Sequence, residues 1–284
     1  MASDTNTAPA YDVETTINSR QLMLALASLF LLNLLLRVFY IRYDFVNGDE
    51  GIRALTAVRM LEGARLYVDV VTDKTPGASL FYAGVFAAFG RSMKAVHLAA
   101  ILLNFGTSVI VYLIGDRLYG KRVGFWAALL FVYFSTNYFT QDMMAANTEL
   151  LMVLPYAASL YVYMLGRLEL SEPTRSPASS NAGALILAGL LTGIATMFKQ
   201  IGVFNLIFFG LYEVIEAWRV SRSSGVSLSD LVRRLISRLL LVGVGFLFVL
   251  FLFVMWLASM HALTDFWRNG IVSNRFYIDP EPGG

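Results

Sequence analysis

The chain has 284 residues, of which 57 % are hydrophobic and 15 % are charged, and this composition is too apolar for a soluble domain of its size. The net charge of +2 does not indicate a class of partner, and no nucleic-acid partner is expected. The sequence contains no cysteine, which excludes a disulfide framework and a thiolate metal site.

Several apolar runs are long enough to cross a bilayer, which takes roughly 20 helical residues. Residues 1–21 are polar and of mixed charge, and we expect a disordered cytoplasmic tail there, followed by a signal anchor. Membrane-spanning helices are predicted over residues 22–40, 96–114, 123–140, 150–165, 184–198, 201–215 and 239–257. The predicted fold class is therefore an all-α polytopic membrane protein with about seven transmembrane helices. Gly189 and Gly193 form a GxxxG step that allows close helix contact.

The short apolar run over residues 78–89 decides the predicted topology. If it does not cross, the loops rich in Arg and Lys share one side with the N-terminus, and the short segments opposite carry only Lys199, Arg268 and Arg275. The positive-inside rule then places the basic loops in the cytoplasm. Residues 78–89 are thus expected to form a re-entrant or interfacial helix within an outer loop (residues 42–95), with the C-terminus outside.

Ionisable residues beside a bilayer suggest function, because charge is costly there. Asp49 and Glu50 follow the first predicted span. A carboxylate near a low-dielectric boundary is expected to have a raised pKa and to serve as a general base. The alternative is that the pair caps a helix over residues 51–61, since acids are favourable at a helix N-terminus.

Two lysines on the predicted outer face suit a phosphate ligand. Lys74 lies at headgroup depth, just before the short apolar helix, whose N-terminus adds positive potential. Lys199 lies in the tight turn between two predicted spans, against the charge trend of the other turns. The alternatives are a contact of Lys74 with membrane phosphate and a Lys199 side chain that extends to the interface.

Glu149 and Arg37 lie at the ends of predicted spans. Glu149 follows Asn147 and Thr148, so helix capping explains it locally, although the chain can also return it to the pocket of Asp49. Arg37 either extends to the lipid headgroups or contacts an anionic lipid substrate. His97 is too isolated to indicate a metal site.

Short motifs occur in a fixed order along these loops. They are Gly48-Asp49-Glu50, Asp73-Lys74-Thr75-Pro76-Gly77, Phe89-Gly90, Asn147-Thr148-Glu149, Phe198-Lys199, Asp265-Phe266-Trp267-Arg268 and Arg275-Phe276. In order, spacing and sidedness they resemble the C-type glycosyltransferase superfamily, in particular the protein O-mannosyltransferases and the lipid A aminoarabinose transferase. The resemblance covers residues 22–276.

The resemblance implies that a hexosyl or pentosyl group passes from a polyprenyl-phosphate donor to a hydroxyl of a protein, lipid or glycan on the outer face. It makes Asp49 the base, with Glu50 beside it. It assigns Lys74, Lys199 and Arg37 to the donor phosphate.

Glu149 and Asp73 would support the acceptor or a metal, since some members have an acidic metal ligand at the position of Asp73. Those members also place a histidine just before the Arg-Phe pair, where this chain has residues 272–274, Val-Ser-Asn. No cofactor is certain, and a divalent metal stays open.

The implied organisation is a transferase module over residues 22–276 in a bacterial or archaeal plasma membrane, in contact with membrane lipids. Residues 277–284 end the chain soon after the seventh span, so we expect an N-terminal module of a longer enzyme. Two alternatives stay open. A transporter or flippase of lipid-linked sugars would place its ionisable groups near the bilayer midplane, and a non-catalytic subunit would only bind the lipid phosphate.

Overall fold

The computed structural model describes residues 19–136, 144–169, 182–223 and 227–273, and within these ranges the chain forms an all-α polytopic membrane protein. Its α-helices are α1 (Ser19–Arg37), α2 (Gly48–Leu61), α3 (Gly77–Phe89), α4 (Met93–Tyr119), α5 (Lys121–Phe134), α6 (Thr148–Glu169), α7 (Ala182–Phe198), α8 (Phe204–Ser223), α9 (Leu228–Ser259) and α10 (Leu263–Asp265). Short 3₁₀ turns follow α1 and α7, and a π-helical turn, Phe266–Val272, follows α10.

Five segments of the described chain are long and apolar enough to cross a membrane. They are Arg20–Arg42, Met93–Tyr119, Thr148–Arg167, Gln200–Arg222 and Ser229–Ser259. Each contains one of the predicted spans. The predicted span over 184–198 lies in α7, which has only 17 residues, and the one over 123–140 begins in α5 and ends outside the described residues.

Glycines bring α7 against α9 at backbone contact. A Cβ on Gly189 would lie 1.9 Å from the carbonyl oxygen of Val242, and one on Gly245 would lie 2.0 Å from that of Ile186. Without a hydrophobic force between helices in lipid, association depends on such close packing of small residues. The close contact predicted from Gly189 is therefore confirmed, and its partner is α9.

Helices α2 and α3 form a helical layer on the end of the bundle where α4 and α6 begin. Ala57 of α2, Tyr82 and Phe86 of α3 and Val96 of α4 are buried in one apolar cluster. An ion pair between Glu62 and Arg91, with 3.1 Å between nitrogen and oxygen, joins the far ends of α2 and α3. With 13 residues, α3 is about 20 Å long, which is shorter than a hydrocarbon core of about 30 Å.

The length of α3 predicts that residues 71 and 91 lie on the same side of the membrane. The sequence has no cysteine, so Val71→Cys, Arg91→Cys and Tyr119→Cys each supply a single thiol without background. A membrane-impermeant maleimide applied to intact cells should label the first two alike. Tyr119→Cys should give the opposite result, labelled where the other two are not or unlabelled where they are, because α4 crosses the membrane between residues 91 and 119. Labelling of residues 71 and 91 from opposite sides would mean that α3 crosses.

Candidate functional site

A cavity of about 710 Å³ lies where the ends of α1 and α5 meet the beginnings of α2 and α6. We call it the Asp49 cavity. Its polar side chains are Arg37, Asn47, Asp49, Asn104, Ser135, Asn147 and Glu149. Its apolar side chains are Ile52, Phe131, Phe134, Leu150 and Val153. A concave, largely apolar site with a few polar groups is the usual form of a small-molecule site.

At the N-terminus of α2, the two acidic side chains point in different directions. Asn47 is the N-cap, and its side-chain oxygen accepts a hydrogen bond from the backbone nitrogen of Glu50 at 3.1 Å. Asp49 and Glu50 are thus first-turn residues, which suits the positive end of the helix dipole. Asp49 lines the cavity with a half-exposed side chain, whereas Glu50 is completely buried.

Asp49 is connected to the beginning of α6 through an arginine. Arg53, one helical turn along α2, donates from Nη2 to the Asp49 carboxylate at 2.8 Å. The same guanidinium donates from Nη1 to the side-chain oxygen of Asn147 at 2.7 Å. Arg53 is buried, and its charge-assisted bonds fix the position of the half-exposed Asp49.

The buried carboxylate of Glu50 holds three chain segments together. It accepts hydrogen bonds from the backbone nitrogens of Val46 and Ala146, both at 2.7 Å, and lies 3.2 Å from Nε2 of His97. Burial alone would raise the pKa of Glu50, but the bonds from His97, Val46 and Ala146 together outweigh it and hold that pKa below its ordinary value. The raised pKa that the sequence suggested is therefore wrong for Glu50.

Glu149 and Lys199 form an ion pair at the rim of the Asp49 cavity. Thr148 also donates its hydroxyl to Glu149, at 3.0 Å. The ion pair connects the beginning of α6 with the residue that follows α7. It places Lys199 at the cavity through its partner, although Lys199 itself does not line the wall.

Lys74 and Asp73 pair with each other at 2.6 Å between nitrogen and oxygen. The hydroxyl of Thr75 donates to the carbonyl oxygen of Phe198 at 2.7 Å. Since Thr75 follows Lys74 and Phe198 precedes Lys199, this bond sets the backbones of the two lysines side by side.

Arg37 forms part of the cavity wall. It is only 3 % exposed, and its Nη2 donates to the carbonyl oxygen of Ser135 at 2.5 Å. Asn104 lies beside it in the wall and donates to Asn33 at 2.7 Å and to the Ser135 hydroxyl at 3.2 Å. The structure thus turns Arg37 inward and not towards the lipid headgroups.

No group of three or more His, Cys, Asp or Glu side chains within the described ranges is placed to hold a metal ion. The carboxylate of Asp73, the position suggested for a metal ligand, instead accepts from Lys74. Asp265 pairs with Arg268 at 3.6 Å. The Arg275-Phe276 motif lies outside the described residues.

Several polar residues of this site were not singled out for it from the sequence, among them Arg53, His97, Asn104 and Ser135. Arg53 carried a usable signal, because it is four residues after Asp49 on one predicted helix. Asn147 was interpreted as a helix cap and as part of the Asn147-Thr148-Glu149 motif, without its bond to Arg53. His97 and Asn104 approach the site from α4, and nothing in local sequence spacing could indicate that approach.

The family model described as dolichyl-phosphate-mannose-protein mannosyltransferase matches residues 73–256, which is well over half of the chain. The matched range includes Lys74, Glu149 and Lys199, whereas Arg37, Asp49 and Glu50 precede it. No curated protein and no solved structure gives a significant match.

The hydrogen bonds of Glu50 predict a pH-dependent loss of stability in Glu50→Gln. The amide keeps the shape but replaces one accepting oxygen by a donor, which leaves buried donors unpaired at a cost of about 1–3 kcal/mol. Thermal unfolding of the purified protein in detergent should show this loss at neutral pH. Glu62→Gln, which removes an exposed carboxylate from the end of the same helix, is the control and should change little.

The sign of the pH effect follows from the lowered pKa of Glu50. Its contribution is fully present above the ordinary glutamate pKa of about 4.3 and is lost as pH falls through the lower pKa of the folded state. The difference in thermal stability between wild type and Glu50→Gln should therefore become smaller as the pH is lowered. A difference that stays constant down to the acid limit of folding would contradict this account.

Proposed function

Because the chain belongs to the dolichyl-phosphate-mannose-protein mannosyltransferase family, we propose that the Asp49 cavity transfers a sugar from a polyprenyl-phosphate donor to an acceptor hydroxyl. Family membership makes the protein a membrane glycosyltransferase of the mannosyltransferase kind. The donor, the acceptor, the roles of single residues and the outer-face location are the proposal. The module is taken as residues 22–276.

One observation carries the proposal: the Asp49 cavity combines a held but half-exposed carboxylate with an apolar wall. Asp49 is fixed by Arg53 and still lines the cavity. Phe131, Phe134 and Val153 line the same space and can contact the apolar part of a lipid-linked donor. Such a site can receive an amphiphile at its apolar wall and a polar acceptor at Asp49.

The proposed reaction needs one base and one group of cations. The acceptor oxygen forms a bond to the anomeric carbon while the bond from that carbon to the phosphate oxygen breaks, and the acceptor proton passes to Asp49. Polyprenyl phosphate leaves with the bonding electrons, so cations that stabilise its growing charge lower the barrier. A glycosidase would instead need two carboxyl groups flanking the bond.

Arg37, Lys199 and Lys74 are the proposed donor-phosphate ligands. Arg37 lies in the cavity wall, and Lys199 is attached to its rim through Glu149. In the structure the two lysines pair with Glu149 and Asp73, so an arriving phosphate must share or displace these carboxylates. Such exchangeable pairs keep both cations in place before the donor binds.

Glu50 has a positioning role in this proposal. Its carboxylate bonds to Val46 and Ala146 of the protein itself, and it is completely buried. It fixes the N-terminus of α2 against the segment before α6, which holds Asp49 opposite Glu149. Of the adjacent pair, Asp49 is the residue placed to touch substrate.

Asp49→Asn tests the proposed base. The amide keeps the shape and part of the hydrogen bonding but cannot accept a proton, so the transfer rate should fall about 100- to 10,000-fold. Donor binding should change little. The measurement is transfer by purified full-length protein with a panel of polyprenyl-phosphate sugars.

Asp69→Asn is the matched control, since Asp69 also pairs with an arginine four residues away, Arg65, but lies outside the cavity. This variant should keep wild-type activity. Near-full transfer by Asp49→Asn would remove Asp49 as the base. Donor binding without transfer in every variant and in the wild type would favour the non-catalytic subunit.

Lys74→Ala and Lys199→Ala test the shared phosphate. Each should raise the donor concentration needed for half-maximal transfer, and the double variant should lose less than the sum of the single losses, because one phosphate links the two side chains. Lys94→Ala, at an exposed lysine in the first turn of α4, is the control and should behave as wild type. Strictly additive losses would mean that the two lysines act at independent sites and do not share one phosphate.

A further inference from the structure

A second cavity, of about 510 Å³, lies between the C-terminal halves of α4 and α6 and the N-terminal half of α8. We call it the Arg117 cavity. Leu118, Leu160, Met164 and Phe208 give it an apolar interior, and Arg117 and Tyr212 contribute polar groups. Its volume falls within the range of about 300–1,000 Å³ that is typical of small-molecule sites.

The two cavities have their charged groups at opposite ends of the bundle. Glu149 of the Asp49 cavity and Arg167 of the Arg117 cavity are 18 positions apart on the same helix, α6. At 1.5 Å per residue this corresponds to about 27 Å, close to the thickness of a hydrocarbon core. The Arg117 cavity is therefore a separate site, at the other membrane boundary.

Arg117 is the cation that this cavity leaves uncompensated. Within the described part of the chain the Arg117 side chain makes no hydrogen bond and no ion pair, and this residue is exposed. Arg167 differs, because its guanidinium contacts Glu213 at 3.1 Å and Glu216 at 3.4 Å. A ligand that enters here meets one available positive charge beside an apolar space.

The Arg117 cavity opens on the surface of the bundle. Leu118 is 54 % exposed and Phe208 is 46 % exposed, although both line the cavity. In a membrane these surfaces face lipid, so a lipid chain can enter sideways without leaving the bilayer. A soluble ligand would have to cross the same apolar edge.

We propose that the Arg117 cavity binds an anionic glycerophospholipid from the membrane leaflet on the side where Arg117 lies. The phosphate contacts Arg117, and part of one acyl chain fills the space between Leu118, Leu160 and Phe208. Charge complementarity selects the anionic class, because a zwitterionic headgroup would add a cation beside Arg117.

Native mass spectrometry of the purified full-length protein tests this site, with phosphatidylglycerol and phosphatidylcholine of the same chains as probes. Wild type should bind phosphatidylglycerol roughly tenfold more tightly, as expected for one charge-assisted contact. Arg117→Gln should remove this preference. Leu118→Trp, which fills the cavity at an exposed and therefore tolerant position, should weaken the binding of both lipids.

Arg122→Gln and Leu240→Trp are the matched controls, because both residues are exposed and neither lines the cavity. They should retain the wild-type preference. Equal binding of the two lipids by wild type, or equal losses in Arg117→Gln and Arg122→Gln, would overturn the proposal. So would displacement of phosphatidylglycerol by a lower concentration of polyprenyl phosphate, which would assign the cavity to a prenyl lipid.

Discussion

The buried carboxylate of Glu50 is the interaction on which the Asp49 cavity depends. Removing a charge from water is costly, and that cost is offset only when the charge is hydrogen-bonded on every side. Here backbone nitrogens from two distant segments, at Val46 and Ala146, and the ring of His97 meet one side chain. The entry to α2, the second turn of α4 and the segment before α6 are thereby fixed against one another. The entry to α2 and the segment before α6 supply Asn47, Asp49 and Asn147 to the polar wall of the cavity.

The adjacent carboxylates of Asp49 and Glu50 lie in different environments because of helix geometry. Successive side chains on an α-helix point about 100° apart, so Asp49 and Glu50 cannot share one environment. The first turns towards the cavity with Arg53, and the second turns into the protein. Arg53 also donates to Asn147, just before α6. Asp49, through Arg53, and Glu50 therefore both help to hold the beginning of α6. The Asp49 cavity is in this way built on a hydrogen-bonded polar framework.

Much of this arrangement could be predicted from the sequence, and the rest could not for physical reasons. Apolar runs identified the membrane helices because length and hydropathy are local properties. The charged residues of the loops pointed to one site because sidedness brings separate loops to one face, and Asp49, Arg37 and Glu149 do line one cavity. The contribution of His97 depends on how α4 packs, which no local pattern contains. The direction of the pKa shift of Glu50 was missed because the nearby membrane boundary was visible in the sequence and the hydrogen-bond donors of Glu50 were not.

The contact between the beginning of α3 and the end of α7 can form only late in protein synthesis. A Cβ on Gly77 would lie 2.5 Å from the carbonyl oxygen of Met197, and Thr75 bonds to the carbonyl oxygen of Phe198, 123 residues along the chain. Contacts between such distant residues form only after the intervening chain has been ordered. While the ribosome is still making α4 to α6, Thr75 lacks the carbonyl oxygen of Phe198 to which it bonds in the folded protein. A chain stalled before α7 would therefore lack the bond that joins the segment of Lys74 to the segment of Lys199.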